Sequence, residues 1–285
     1  MNRVLSIQSW VTYGHVGNAS AMFPLQRLGV EVMAVHTVQF SNHTGYGSWR
    51  GQVFTGGMIR ELVTGMAERG ALTACDGVLS GYMGDADIGE AILEAVTTVK
   101  AANPRAIYCC DPVIGDVDTG IYVRPGIAEF LKRRAIPVAD VVTPNQFELE
   151  LLAGRQIATV ADLHAALDAV HESGPRVVLA TSLHLADTPG GAIDMVASDA
   201  GTRWRVRTPL LPLSISGAGD AVAALFMLHL SRSGHADEAL NRTAASVFGV
   251  LRRTAEAGSS EILTVAAQDE FVSPTASFAV EPLEA

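Results

Sequence analysis

The chain has 285 residues, 48% hydrophobic and 18% charged, which fits a globular α/β domain with a sizeable core and excludes a disordered chain. A formal net charge of −10 argues against general nucleic-acid or anionic-membrane binding, while leaving room for a local phosphate cradle. Cys75, Cys109 and Cys110 have no zinc-site spacing, the start MNRVLSIQSW is no signal peptide, and no apolar run has membrane length, so a reducing cytoplasm is the expected location.

Strand-like and helix-like segments alternate. A short apolar strand is predicted at 4–8, a helix at 18–28 that Pro24 must disturb or tighten, and a β-branched strand at 30–38. A helix at 58–69 follows, then a short strand at 77–80 and an amphipathic helix at 85–100. Next come a strand at 106–110, a helix at 126–134, a strand at 140–143 and helices at 146–152 and 160–171. A buried strand at 176–180 precedes a hairpin of 193–197 and 202–206, and helices at 221–230 and 238–252 close the pattern. This predicts one α/β domain over 1–285, with a mostly parallel central sheet and helices on both faces. Segment 40–53, FSNHTGYGSWRGQV, breaks the alternation and reads as a protruding loop or short edge strands of the kind that act as lids.

Polar residues recur where predicted strands end, the edge at which open α/β sheets bind ligands. Ser9 follows the first strand, Ser41 to Gly47 the second, and Ser80-Gly81-Tyr82 the third. The fourth ends in Asp111-Pro112 with Asp116 beyond, the fifth in Thr143-Pro144-Asn145 with Glu148 one turn on, and the sixth in Thr181-Ser182. The seventh ending is Ser216-Gly217-Ala218-Gly219-Asp220, which runs straight into an apolar helix. A helix start aims unpaired N–H groups and a positive dipole end at an anion, and Asp220 adds a carboxylate in the first turn. An anion cradle beside a base suits phosphoryl transfer to an alcohol. The chain lacks G-x-x-x-x-G-K-[ST], a G-x-G-x-x-G after the first strand, and G-x-S-x-G, which excludes a P-loop enzyme and argues against nicotinamide binding and a hydrolase triad.

The Gly217-Ala218-Gly219-Asp220 turn resembles the signature of ribokinase-like kinases. The blocks QSWVTYGHVGN at 8–18, VQFSNHTGYGSW at 38–49, LSGYMG at 79–84, DPVIGD at 111–116 and TPNQFELELL at 143–152 narrow the resemblance to the pyridoxal kinase family. The resemblance implies a three-layer ribokinase-like fold and ATP-dependent phosphorylation of the 5′-hydroxyl of pyridoxal, with pyridoxine and pyridoxamine as further acceptors. Ser9, Thr44, Gly45 and Tyr82 would line the acceptor site, with Asp220 the base and the N–H groups of Gly217, Ala218 and Gly219 on the transferring phosphoryl. Asp111, Asp116, Thr143, Asn145, Glu148, Thr181 and Ser182 match nucleotide- and cation-side positions, and Thr208, Pro209, Leu210 and Leu211 would lie beside the nucleotide. Asp111 and Glu148 are oxygen ligands suited to Mg2+, directly or through water. A monovalent cation such as K+ and a homodimer are implied by the resemblance alone. Ala218 stands where relatives often carry a larger residue, and the short 212–216 segment leaves the adenine contacts open. The competing readings are a hydroxymethylpyrimidine kinase, against which the 40–53 block argues, and a weakly active B6-vitamer carrier, against which an intact Asp220 argues.

Overall fold

A computed structural model describes residues 1–284. The chain begins with β1 (Arg3–Val11), α1 (Asn18–Arg27), β2 (Glu31–Phe40), β3 (Gly51–Val53) and α2 (Gly56–Glu68). Then come β4 (Gly77–Ser80), α3 (Ala86–Ala102), β5 (Ile107–Cys110), the small pair β6 (Gly115–Asp116) and β7 (Gly120–Ile121), α4 (Ile127–Phe130) and β8 (Val141–Val142). Helices α5 (Gln146–Ala153) and α6 (Val160–Glu172) lead to β9 (Val177–Leu183), β10 (Ala192–Asp199) and β11 (Thr202–Pro209). The chain closes with α7 (Ala218–Ser233), α8 (Ala236–Glu256), α9 (Asp269–Val272) and β12 (Val280–Pro282).

Ten strands form one sheet in the order β12-β11-β10-β9-β8-β5-β4-β1-β2-β3. From β2 to β9 the neighbours run parallel, and antiparallel strands extend both edges. The chain first steps from β1 out to β2, then returns to place β4 on the other side of β1. That reversal is the topological switch point, and it opens a crevice at the carboxyl ends of β1 and β4.

Alternation along the strands feeds two hydrophobic layers. Leu5 and Ile7 of β1 face the layer that also holds Ile59 of α2, Ile88 of α3, Leu149 of α5 and Leu163 of α6. Val4, Leu79 and Cys109 face the other way, under Leu25 of α1, Phe226 of α7 and Leu240 of α8. The predicted three layers are present. Helix α3 illustrates the local cause: Asp85 caps it by accepting from the Asp87 N–H, and Ile88, Ala91, Ile92, Ala95 and Val99 recur at helical spacing on its buried face.

The structure departs from the expected elements in two places. Only Ile127–Phe130 of the predicted 126–134 helix is α-helical; Leu131–Ala135 widens into a π turn and Ile136–Val138 tightens to a 3-10 turn, where Pro137 has no N–H to continue the ladder. The region beyond 255, which carries no motif, supplies a sheet strand: β12 pairs with β11, and Leu283 N–H donates to the Arg203 carbonyl at 2.9 Å. The lid segment combines both expected forms. After β2 it leaves the sheet through a 3-10 turn at Thr44–Tyr46 and returns as the edge strand β3, with Trp49 against Phe40 at 4.0 Å between ring centroids.

The outer hairpin of β10 and β11 is fixed by a buried ion pair. Asp194, fully buried, accepts from Arg207 Nε at 2.7 Å and Nη2 at 2.8 Å, and from Thr188 Oγ1 at 2.8 Å. Removing the carboxylate leaves Arg207, its side chain 30% exposed, with only the longer 3.6 Å contact to Asp187. Asp194→Ala is expected to lower unfolding stability by about 2–3 kcal/mol in urea titration, less than for a wholly buried pair because Arg207 keeps some water. A loss below about 0.5 kcal/mol would show that the pair does not hold the hairpin.

Candidate active site

The carboxyl ends of the parallel strands enclose a cavity of about 620 Å³, within the range of small-molecule sites. Seven predicted strand endings meet there. The smaller hollow of about 290 Å³ at the opposite edge has Arg3 and Arg105 balanced by Glu31 and Asp76, and holds none of the predicted residues.

One wall is largely apolar. Ser9 near the end of β1, Thr44 and Gly45 of the lid and Tyr82 after β4 line it. Val11, Val16, Val38 and Phe40 lie between them and pack as a separate small cluster. Tyr82 is positioned by its backbone, whose carbonyl accepts from Thr37 Oγ1 at 2.7 Å, and burial pushes its phenol up.

The facing wall is acidic. Asp111 follows β5 and accepts from Thr143 Oγ1 at 2.8 Å, while no donor among the described residues meets its Oδ2. Asn145 caps α5, and with Glu148 it forms a capping box: Asn145 Oδ1 accepts from Glu148 N–H at 2.9 Å, and Glu148 Oε2 accepts from Asn145 N–H at 3.0 Å. Glu148 Oε1 also accepts from the N–H groups of Ile114 at 2.9 Å and Gly115 at 3.4 Å. Glu148 is therefore no solvated helix charge; it ties α5 to the segment after β5. Asp116 terminates an Asx turn by accepting from the N–H groups of Asp118 and Thr119. Thr181 and Ser182 close this wall, and Ser182 is held at φ 54, one of only two non-glycine residues with positive φ among those described.

The floor is the Gly217–Asp220 turn. Gly217 is the N-cap of α7 at φ 92, and a Cβ there would sit 1.8 Å from the His15 carbonyl oxygen. Its carbonyl accepts from Ser20 Oγ at 2.7 Å, which fixes the helix start against α1. Glycine is required at 217 by this packing and by the left-handed φ. Gly219 differs: nothing lies within 4 Å of the Cβ it lacks, so its open side faces free space at the helix start. Ala218 and Asp220 complete the turn and line the cavity.

Asp111, Asp116, Glu148 and Asp220 face this cavity, and no lysine or arginine lines it among the described residues. Burial, with the Glu148 and Asp220 carboxylates nearby, holds Asp111 well above the usual carboxylate range, against the Thr143 hydroxyl. Burial pushes Glu148 up to about 7 despite its three backbone donors. Asp220 touches solvent only through the cleft, and burial pushes it up to about 6, against the N–H groups of Gly17 and of Asp220 itself.

Not every predicted residue reaches the cavity. Thr208 and Pro209 end β11, with Leu210 and Leu211 after them, and none of the four lines the cleft. Residues that carry no sequence signal of their own do line it: Thr119, Tyr122 and Ile215. Tyr122 follows β7, its N–H bonded to the Ile114 carbonyl at 3.1 Å. The nearest thing to a signal for it is an aromatic just after a Gly-containing turn at a strand end.

Residues 70–264 match the model of a family described as Phosphomethylpyrimidine kinase. A Granulibacter bethesdensis protein named Pyridoxal kinase PdxY is 61% identical over 279 residues, covering 96% of this chain and 98% of that one. This chain belongs to the pyridoxal kinase family. A Rubrobacter xylanophilus Pyridoxal kinase PdxY is 55% identical over 97% of this chain and 96% of its own. The solved pyridoxal kinase of Leishmania donovani, in complex with ADP and ginkgotoxin, has a TM-score of 0.93 at 30% identity, with 100% of both chains covered. The family model begins at residue 70, beyond the lid and most of the apolar wall.

In this pyridoxal kinase family member Asp220 carries an elevated pKa, and linkage fixes the sign of its effect on stability. Between its ordinary 3.8 and about 6 the folded chain holds a proton that the unfolded chain has released, so stability falls as pH rises through that window. Asp220→Asn removes this penalty. Relative to the parent, the variant is expected to gain roughly 2–3 kcal/mol between about pH 4 and about pH 7, because each tenfold change in proton affinity is worth about 1.4 kcal/mol. Paired urea titrations across that range measure it, and a pH-independent difference would contradict the assignment.

Proposed function

We propose that this chain transfers the γ-phosphoryl group of ATP to the 5′-hydroxyl of pyridoxal, giving pyridoxal 5′-phosphate, with pyridoxine and pyridoxamine as further acceptors. One observation carries the reading: Asp220 sits in the first turn of a helix whose N-terminus opens into a cleft, between an apolar wall under a lid and an acidic wall. An aromatic ring fits against Val11, Val16, Val38 and Phe40, with Ser9 and Thr44 as polar partners for its substituents. The nucleotide lies toward Thr143, Asn145, Thr181 and Ser182. Asp220 takes the proton of the 5′-hydroxyl as its oxygen bonds to the γ-phosphorus and the bond to the β-phosphate oxygen breaks, releasing ADP. The N–H groups at the α7 start bind the charge on the transferring oxygens, and the lid keeps water from competing as acceptor.

The residues fit a divalent cation. Asp111 keeps Oδ2 without a donor among the described residues, and the acids have no basic partner in the cleft. Such a site leaves most coordination positions to water and phosphate, as Mg2+ requires. Asp111 would hold it, with Glu148 acting through water because both its oxygens already accept N–H groups. Bound Mg2+ would supply charge neutralisation on the nucleotide phosphates. A monovalent cation and a homodimer are carried over from the family resemblance alone. A cytoplasmic location accords with three buried free cysteines and with the absence, among the described residues, of a helix long and apolar enough to cross a membrane.

A coupled ADP-release assay with Mg·ATP and pyridoxal, pyridoxine, pyridoxamine or hydroxymethylpyrimidine tests the reading. Turnover is expected on pyridoxal; turnover confined to hydroxymethylpyrimidine would move the chain to the pyrimidine kinases. Asp220→Ala is expected to reduce kcat about 10²–10⁴-fold while ligand binding stays measurable. Because the base must be ionised, kcat/KM of the parent for pyridoxal is expected to rise through an acid limb centred near the Asp220 value of about 6. An acid limb that persists unchanged in Asp220→Ala would refute the base assignment.

A further inference from the structure

Thr44 and Gly45 face the acceptor end of the cleft from a turn that has almost no packing of its own. No residue of Thr44–Tyr46 is buried, and the chain from 44 to 50 is exposed throughout. Most of its polar contacts are internal: Asn42 Nδ2 donates to the Ser48 carbonyl at 2.9 Å, and Ser41 Oγ accepts from Arg50 N–H at 3.0 Å. The polar contacts that tie the turn to the rest of the molecule are made by the residues on either side of Thr44 and Gly45. His43 Nδ1 lies 3.1 Å from Ser216 Oγ, just before the anion turn. Tyr46 Oη donates to the Glu261 carboxylate, 215 positions away in sequence.

Glu261 is itself held rigidly. Its N–H donates to Ser259 Oγ at 3.1 Å and its carbonyl accepts from the same hydroxyl at 2.7 Å. The next residue, Ile262, is 1% exposed in the core. Gly14 provides the slot for the carboxylate: a Cβ there would sit 2.3 Å from Oε2. The Tyr13 ring lies 6.4 Å from that of Tyr46, so the loop after β1, the lid and the C-terminal segment converge on this carboxylate.

We infer that Glu261 is a positioning residue for the acceptor: its contact with Tyr46 latches the lid so that Thr44 and Gly45 stand at the edge of the cleft. Glu261 touches no reacting atom. The inference rests on the proposed kinase reaction for its kinetic consequence, and on the lid contacts alone for its structural one.

The test uses the full chain and the variants Tyr46→Phe, Glu261→Ala and their combination. KM for pyridoxal is expected to rise about tenfold in each single variant, with KM for ATP within about twofold, as for loss of one charge-assisted contact. The combined variant is expected to match the single ones, because all three lack the same contact. Without ligands, trypsin is expected to cut after Arg50 several-fold faster in all three, with cleavage after the exposed Arg69 and Arg155 unchanged. Unchanged cleavage after Arg50 overturns the latch whatever the kinetics. Faster cleavage with KM for pyridoxal unmoved, or multiplying effects in the combined variant, overturns the positioning role. If the parent turns over no B6 vitamer, the proposed function fails, and the cleavage pattern still decides the latch.

Discussion

Charge sets the terms on which this cleft can work. Asp111, Asp116, Glu148 and Asp220 share one cavity without a lysine or arginine on its lining among the described residues. A triphosphate entering such a site meets repulsion unless N–H groups and an added cation outweigh it. The α7 N-terminus provides the first, because its leading N–H groups have no partner within the helix. The acids offer oxygens to such a cation, and the raised pKa values of Asp111, Glu148 and Asp220 reflect how unfavourable their charged forms are when nothing is bound. The cost of assembling the acids is thus the property that the proposed metal–nucleotide complex would offset.

The sheet explains why these groups meet. Strand order reverses between β2 and β4 around β1, so the segments after β1, β4 and β5 rise around a common crevice. Close packing then fixes the details. Gly217 rests on the His15 carbonyl, so the loop after β1 packs directly against the start of α7. The Glu148 capping box binds α5 to the strand end that carries Asp111, which couples a helix cap to the acidic wall.

Much of this is legible in the sequence because it depends on local rules. Alternating strand and helix patterns predict the layers, and polar residues at strand ends mark the cleft edge. Asp220 is legible from the small residues before it and the apolar helix after it. What escapes depends on distant contacts. Glu148 can be read from sequence only as a helix-face acid or a cation ligand, since its reach to Ile114 and Gly115 crosses more than 30 positions of chain. Glu261 lies in a tail without motif, and its partner Tyr46 is in the lid. Resemblance puts Thr208 to Leu211 beside the nucleotide, yet β11 ends outside the cavity wall. The 126–134 helix stops early because Pro137 constrains its end.

If backbone N–H groups and a metal ion meet the phosphate charge in this cleft, ATP affinity must depend on the metal. Isothermal titration of ATP into the full chain, with Mg2+ and then with EDTA, reads that dependence. Binding is expected to be at least about tenfold weaker without the metal, since no cationic side chain replaces it. Equal affinity in the two titrations would contradict this reading of the cleft.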